Sequence, residues 1–289
     1  MRATFEEKTY ENYFNAELDR VSSIFFPLGQ VQEGNLGFDS SALSTNRKLW
    51  RRLGFPFWFF PPFDGISLRD IADEMEHFLG IVINDMPIMK ANLLFQYKRP
   101  ELITMSTGSE WTHWNEPYFR YDVYKEQHDL LMQIDSKFSS KMLVVYASPA
   151  VHDINELVTL KINRQIISNS NFKKSSDLNG HHRNTYIKAG THSIACSDPE
   201  KIDNLDLLKQ LETVGNNSNE TNDDEDNRLF IINFRKQMVA LVYENKYYGE
   251  SFKKLNNEID KIKSSELFYS FLIMSNFRFL TGVQWLVKL

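Results

Sequence analysis

The chain has 289 residues, of which 42% are hydrophobic and 13% aromatic, and its formal net charge is -5. This length and apolar content suffice for one large domain, or for one domain with an appendage. The negative charge argues against a protein that coats nucleic acid through bulk charge, so any DNA contact is expected to be local. The lone cysteine, Cys196, excludes an internal disulfide and a multi-cysteine metal site, which fits a reducing compartment.

The hydropathy pattern predicts no membrane contact. The N-terminal sequence lacks the apolar core of a signal peptide. No uninterrupted apolar run reaches the length of about 18 to 20 residues that a membrane-spanning helix needs. We therefore expect a soluble, cytoplasmic protein.

An amphipathic helix is predicted over residues 5–21. Large apolar side chains recur at every fourth position of this stretch: Tyr10, Phe14 and Leu18. They form one face, which is expected to pack on a sheet. Glu7 and Glu11 are also four residues apart and share a second face. A solvated helix face is the ordinary place for such acids, and a metal site is the alternative.

Two short strands around a turn are expected over residues 24–40, and the second ends in Asp39. A carboxylate that follows Gly37 and Phe38 at a strand end is well placed to bind a hard cation, although glycine and aspartate are also ordinary turn residues. The aromatic and proline-rich segment 55–63 comes next. We interpret it as a loop packed into the core or against a partner, with base stacking as the alternative.

Residues 91–100 predict a core strand that ends at Arg99 and Pro100. An apolar run passes into alternation of apolar and polar residues, as in a half-buried strand. Gln96 and Lys98 are two positions apart, so their side chains point to the same face. An amine beside an oxygen that can bind a metal forms half of a hydrolytic phosphodiesterase site. The other half requires carboxylates, which the chain supplies upstream.

Strand and helix patterns then alternate. A strand pattern covers residues 118–124 and a helix pattern covers 125–138. A short apolar run at 141–148 is typical of a buried strand, and a further helix is predicted over 154–165. This alternation predicts an α/β protein whose sheet is covered by helices. We interpret residues 166–197 as polar and irregular.

The histidines and the cysteine of this irregular stretch favour neither a metal site nor a catalytic thiol. Adjacent histidines in a strand face opposite sides, which favours phosphate or partner contacts over metal binding. Cys196 has no histidine at a motif spacing, which disfavours a catalytic thiol. The histidines concerned are His181, His182 and His192.

A polar, acidic segment at 213–227 marks the clearest boundary in the chain. Its Asn, Asp, Glu and Gly residues predict a flexible linker, because such a composition cannot bury enough apolar surface to pack. Beyond it, residues 229–247, 250–263 and 265–289 each predict a helix. A helical appendage of about 60 residues is marginal alone, so we expect it to dock on the main body or on another subunit.

These features together resemble the core of the PD-(D/E)XK superfamily, the restriction-endonuclease-like nucleases. The order is a helix with two acids, a strand end at Asp39, and then Gln96-Tyr97-Lys98 followed by a further strand and helix. Glutamine in place of the middle acid is similar to the Mrr-like branch. The resemblance covers about residues 1–200 and implies a restriction-endonuclease-like α/β fold, with a mixed central sheet flanked by helices and a C-terminal helical appendage.

The resemblance also implies a division of the chain and an insertion in the usual hairpin between Asp39 and Gln96. The implied parts are a nuclease domain at 1–212, an acidic linker at 213–227 and a helical interaction region at 228–289.

The resemblance implies a role for each site residue. Asp39 would be the central ligand of Mg²⁺ or Mn²⁺, and Gln96 would contribute an amide oxygen. Lys98 would orient or help deprotonate the attacking water and stabilise negative charge on the phosphate. The carboxylate that completes the site is left open among three acids: Glu11, which is preferred, Glu7 and Glu33.

The function implied is metal-dependent hydrolysis of DNA, in a prokaryotic restriction-type or anti-phage effector. Arg99, Arg120 and Lys125 are expected to contact phosphates around the cut. Residues 228–289 are expected to bind a protein partner, such as an ATPase, or a second copy of the chain. The alternative is a binding or scaffolding subunit of a multiprotein complex that keeps the nuclease fold without cutting. RNA as the substrate is a further alternative.

Overall fold

The computed structural model describes four stretches of the chain: residues 1–27, 68–138, 141–217 and 226–289. The chain groups into two compact units, each built from segments distant in sequence. Unit 1 comprises residues 1–25, 90–222 and 282–289. Unit 2 comprises residues 26–89 and 223–281.

The described residues contain ten strands. In chain order they are β1 (Ile24–Phe25), β2 (Ala91–Tyr97), β3 (Glu101–Ile103), β4 (Tyr118–Asp122), β5 (Met142–Pro149), β6 (Ser170–Lys174), β7 (Arg183–Tyr186), β8 (Ser193–Cys196), β9 (Glu200–Ile202) and β10 (Gln284–Lys288).

The same stretches contain nine α-helices, none of which is long and apolar enough to cross a membrane. They are α1 (Glu7–Val21), α2 (Leu68–Asn84), α3 (Trp111–Trp114), α4 (Lys125–Phe138), α5 (Ile154–Asn163), α6 (Leu207–Asn217), α7 (Asn227–Glu244), α8 (Gly249–Glu258) and α9 (Glu266–Thr281).

The central sheet of unit 1 has the strand order β1-β10-β2-β5-β6. β2 and β5 are parallel, and the other pairs are antiparallel. Every residue of β2 and β5 is buried, which explains why both strands read as nearly continuous apolar runs. The mixed α/β architecture predicted from the sequence is therefore confirmed.

Helix α1 covers one face of this sheet. Its stripe of apolar residues is fully buried, and the Phe14 ring lies 5.6 Å from the ring of Phe95 and 5.5 Å from that of Tyr97 on β2. Tilted and edge-on contacts of this kind add to the free energy gained from burial of aromatic surface. Helix α4 packs against β5.

A second sheet in unit 1 is antiparallel throughout, with the order β3-β4-β7-β8-β9. It packs on the central sheet through aromatic side chains: the ring of Tyr121 stacks on that of Tyr146 at 6.3 Å. The hydroxyl of Tyr186 also donates to Ser148 Oγ at 2.8 Å. The two sheets therefore share one core.

Unit 2 is helical in its described part and consists of α2, α7, α8 and α9. The Asn227 side chain at the start of α7 secures the end of α2. Its Nδ2 donates to the carbonyl of Ile83 at 3.1 Å, and its Oδ1 accepts from the N–H of Met89 at 2.8 Å. These bonds satisfy backbone groups that a helix end leaves without partners.

Two predictions of secondary structure are wrong. Residues 166–197 are not irregular, because they contain β6, β7 and β8. The last helix does not extend over 265–289: α9 ends at Thr281, and β10 follows. Gly282 separates the two with φ +71°, a left-handed conformation that glycine adopts without strain.

The compact units also differ from the predicted division into 1–212, 213–227 and 228–289. The last eight residues belong to unit 1, where β10 pairs with β1 and β2. The predicted linker begins inside α6 and ends at the first residue of α7. Its central residues, 218–225, lie outside the described stretches.

Candidate functional site

The candidate site lies at the carboxyl end of β2. Gln96 is the penultimate residue of the strand, and Lys98 is the first residue after its end. The backbone N–H of Lys98 donates to the carbonyl of Ala147 at 2.9 Å, and Ser148 Oγ donates to the Lys98 carbonyl at 3.0 Å. These two bonds to β5 hold the Lys98 backbone in place although the strand has ended.

Gln127, in the first turn of α4, bridges the two residues. Its Nε2 donates to Gln96 Oε1 at 2.7 Å, and its Oε1 accepts from Lys98 Nζ at 3.5 Å. Gln96 Nε2 in turn donates to the carbonyl of Tyr97 at 2.9 Å. The side chains of Gln96, Lys98 and Gln127 are all buried. The prediction that Gln96 and Lys98 share a face is confirmed, because one side chain contacts both.

Two aromatic rings flank the Lys98 ammonium. Its Nζ lies 4.9 Å from the ring centroid of Tyr124 and 5.6 Å from that of Tyr146, both within the range of cation–π attraction. Burial lowers the pKa of Lys98 to about 8, while the charges of Glu7 and Asp122 act in the opposite direction. A group so perturbed in a defined polar setting is a candidate for function.

Glu7 supplies a carboxylate near Lys98. Burial raises the pKa of Glu7 to about 6; the charge of Lys98 lowers it, the charge of Glu11 raises it, and the backbone N–H of Arg99 lowers it by hydrogen bonding. Glu7 as a whole residue is half-buried. The interactions of Glu7 with Lys98 and Arg99 thus connect α1 with the end of β2.

Glu11 lies one turn further along α1 and is buried, with 7% of its surface exposed. Its Oε1 accepts from Lys8 Nζ at 3.0 Å. The two acids influence each other electrostatically, and Glu7 also interacts with Lys98. Gln96 points to the face of β2 opposite α1, because α1 contacts its neighbours Phe95 and Tyr97.

His128 supports one wall of the site. Its Nδ1 lies 3.0 Å from the hydroxyl of Tyr146, and burial lowers the pKa of His128. The register between strands places Tyr146 beside Gln96 on the same face of the sheet. Sequence reasoning missed Gln127, Tyr124 and Tyr146 as members of the site, since a helical glutamine and aromatic side chains are ordinary components of folded proteins.

The metal ligands predicted from the sequence are only partly described. Gln96 contacts Gln127 beside Lys98, and Glu11 lies on α1 near Glu7, whereas Asp39 and Glu33 lie outside the described residues. The neighbours of β2 in the central sheet are β10 and β5.

The donor set fits a hard cation in type. Carboxylate and amide oxygens are the ligands that Mg²⁺ and Mn²⁺ prefer, and Glu7, Glu11 and Gln96 supply them. Among the residues that can be described, no group of three or more His, Cys, Asp or Glu side chains could hold a metal ion. The metal site therefore stays a prediction, with Asp39 as its expected further ligand.

The predicted phosphate contacts are already engaged in ion pairs. Arg99 pairs with Glu6 at 3.0 Å. Arg120 Nε pairs with Glu101 at 2.8 Å, and Lys125 pairs with Asp129 at 2.9 Å. Their role in binding DNA stays a prediction, but each would have to share or exchange its acidic partner.

The three histidines considered earlier have separate surroundings. His181 Nε2 lies 3.3 Å from Glu200, and His182 Nδ1 lies 2.9 Å from Ser197 Oγ. His192 stacks on the ring of Trp114 at 5.3 Å. Burial raises the pKa of the Cys196 thiol, which makes it less reactive.

Comparisons with protein-family models, with curated proteins and with solved structures found no match.

Proposed function

We propose that this protein is a metal-dependent deoxyribonuclease that hydrolyses DNA phosphodiester bonds. The observation that carries the proposal is the setting of Lys98. A buried ammonium stands at the end of a core strand, shares a glutamine partner with Gln96, and interacts with a carboxylate of the first helix. A restriction-endonuclease-like site needs these groups in this neighbourhood.

The fold gives further support. Parallel β2 and β5, with α1 on one face of the sheet and α4 between the strands in sequence, follow the order of elements expected from the resemblance. In addition, the C-terminal strand β10 pairs antiparallel with β2. The proposed fold is restriction-endonuclease-like, with β10 placed between β1 and β2.

Each described residue has a proposed role. A bound Mg²⁺ or Mn²⁺ would act as a Lewis acid and neutralise charge on the phosphate. Glu7 and Glu11, which influence each other electrostatically, would hold it through carboxylate oxygens, with Asp39 as a further ligand. Lys98, oriented by Gln127, stabilises the negative charge that develops on the phosphate oxygens, and its burial strengthens this interaction by excluding water.

We further propose that the protein works in the cytoplasm with a partner, as a restriction-type or anti-phage effector. The partner would be an ATPase or a second copy, bound through residues 228–289. Within that region Phe279 on α9 is 79% exposed, which is unusual for so large an apolar ring.

A second candidate function is a non-catalytic scaffold of the same fold. One observation favours it: Gln96 Oε1 already accepts from Gln127, so the oxygen expected to bind the metal is engaged within the protein. In this case Lys98 would have a purely structural role.

Cleavage of supercoiled plasmid, of linear duplex DNA and of single-stranded DNA, with Mg²⁺ or Mn²⁺, tests the proposal. We expect wild type to cut and Asp39→Ala and Glu11→Ala to lose cutting while remaining folded. Lys137→Ala, at an exposed position near the end of α4, is the control and should cut like wild type. If wild type cuts none of these DNAs with either metal, alone or with its native partner, the scaffold is the better account.

A further inference from the structure

Tyr124 lies beside the Lys98 ammonium of the candidate site. It lies between the end of β4 and the start of α4, and its carbonyl accepts from the N–H of His128 at 2.9 Å as that helix begins. Its side chain is packed near the Lys98 ammonium, 4.9 Å from the ring centroid, yet Tyr124 is 65% exposed. Part of an aromatic surface is therefore open to solvent directly beside the ammonium.

A nucleotide offers groups that match this pair. Its phosphate is attracted to an ammonium, and its base presents an aromatic face that stacks on tyrosine. Phosphate and base are joined through one sugar, so a strand whose phosphate lies at Lys98 carries a base within reach of Tyr124. The start of α4 adds the positive end of a helix dipole, which also favours phosphate.

The pairing state of the strand decides whether stacking is available. In a duplex each base is stacked between its neighbours, so an enzyme must unstack a base before an aromatic side chain can take it. A single strand has bases that stack on an exposed ring at far lower cost. The exposed surface of Tyr124 therefore suits an unpaired strand.

The charges around the site also favour an unpaired strand over a duplex. Binding of duplex DNA depends largely on cations that neutralise phosphates. Arg99, Arg120 and Lys125, the cations expected to do so, each pair with an acid, at 3.0, 2.8 and 2.9 Å. The chain as a whole carries a net charge of -5. Stacking should consequently provide a larger share of the binding free energy here than in a basic duplex-binding protein.

We propose that the Lys98 site takes single-stranded DNA, or the unpaired end of a duplex, with one base stacked on Tyr124. This inference rests on the proposed nuclease function and adds the class of substrate. Tyr124 is then a residue that positions the strand and selects unpaired DNA.

Fluorescence anisotropy in metal-free buffer tests the inference without requiring cleavage. The probes are a labelled oligothymidylate of about 20 nucleotides, longer than one typical single-strand site, and a blunt duplex of the same length. We expect wild type to bind the single strand more tightly than the duplex. Tyr124→Ala should weaken single-strand binding about 5- to 150-fold, the range for loss of one stacked base.

Two further variants complete the design. Tyr124→Phe keeps the ring and should bind within about threefold of wild type, because stacking does not use the hydroxyl. Tyr247→Ala removes a similarly exposed tyrosine, 60% exposed, from unit 2 and should have no effect. Circular dichroism verifies that each variant is folded.

The outcomes separate this inference from the nuclease proposal. Equal binding of single strand by Tyr124→Ala and wild type, tighter binding of the duplex, or no binding of either DNA would overturn the inference. Stacking that depends on Tyr124 without any cleavage would support the substrate class and count against hydrolysis. Cleavage of duplex DNA that Tyr124→Ala performs as well as wild type would retain the nuclease and reject the inference.

Discussion

Two buried lysines in unit 1, Lys98 and Lys173, differ in their partners and not in their burial. Both lie on the same face of the central sheet, since Gln96, Tyr146 and Lys173 occupy one row across β2, β5 and β6. Lys98 is 6% exposed and Lys173 is 0% exposed, and burial lowers the pKa of each to about 8. Neither burial nor pKa therefore tells them apart.

The hydrogen bonds of Lys98 and Lys173 distinguish the two lysines. Lys173 Nζ donates to two backbone carbonyls, those of Asp203 at 2.6 Å and Ile202 at 3.4 Å, and so ties the end of β9 to the central sheet. Within the described chain, Lys98 Nζ makes one long hydrogen bond, to the side chain of Gln127, and faces the two aromatic rings. Backbone carbonyls are held in place by the fold and indicate a structural lysine. Side-chain partners can rearrange, which suits a lysine that binds a ligand.

The two lysines should differ most in their effect on the free energy of unfolding. Lys173→Met removes two hydrogen bonds from a buried ammonium to backbone carbonyls and should lower the free energy of unfolding by about 2 to 3 kcal/mol. Lys98→Met replaces a buried charge by an apolar side chain of similar length and should change that free energy by less than about 1 kcal/mol. Urea denaturation at pH 7 measures both. An equal loss in both variants would mean that Lys98 is structural as well.

The bridge from α4 predicts the next effect. Gln127→Leu removes the side chain that orients Gln96 and Lys98, and should lower the rate of DNA cleavage about tenfold, which corresponds to the loss of one positioning hydrogen bond. Gln133→Leu, at an exposed position of the same helix, is the matched control and should cut at the wild-type rate. Full activity of Gln127→Leu would show that the bridge does not orient the site.

The coupling between Glu7 and Lys98 can be measured directly. In metal-free buffer, the carboxyl carbon of Glu7 should titrate with a pKa of about 6. Lys98→Met should raise the pKa of Glu7 above 6, because the nearby positive charge that favours the carboxylate is lost. Lys173→Met should leave it unchanged. Carbon-detected NMR provides the readout, and a shift caused equally by both lysine variants would contradict the assignment.

The smallest effect concerns stability against pH. The pKa of Glu7 is about 6 in the folded protein, above its ordinary value of 4.5, so between pH 4.5 and 6 the folded state binds more protons than the unfolded state. The contribution of Glu7 to the free energy of unfolding is therefore greatest below pH 4.5 and decreases as the pH rises to 6. After allowance for solvent screening, the decrease should be about 1 kcal/mol.

Glu7→Gln should abolish this part of the pH dependence, because an amide does not titrate. Urea midpoints at pH 4.5 and pH 6 for wild type and variant provide the comparison. An unchanged difference between the two pH values would assign the effect to another group.

Much of unit 1 can be predicted from the sequence because its hydropathy pattern is direct. β2 and β5 are buried on both faces and appear as apolar runs, and α4 was predicted over the residues that form it, 125–138. β6 gives no such signal, since Asn171 and Lys173 are polar yet fully buried. Their hydrogen bonds are made with residues distant in sequence, and no local pattern records them.

The candidate site was predictable where its residues are close in sequence and less so where they are not. Alternation along β2 placed Gln96 and Lys98 on one face. Gln127 approaches from 31 positions away, and the pairing of β10 with β2 depends on a return of the chain after α9. The one local signal for that return was Gly282, a residue typical of a helix end.

The most direct test of the account is one cleavage assay with Lys98→Met and Lys173→Met side by side. Single-stranded DNA and plasmid DNA are each supplied with Mg²⁺ or Mn²⁺, at a temperature where both variants are folded. Lys98→Met should cut at least 100-fold more slowly than wild type, as expected for loss of a charge that stabilises the transition state, and Lys173→Met should cut within a few-fold of it. Wild-type cutting by Lys98→Met, or an equal loss in both variants, would contradict a catalytic role for Lys98.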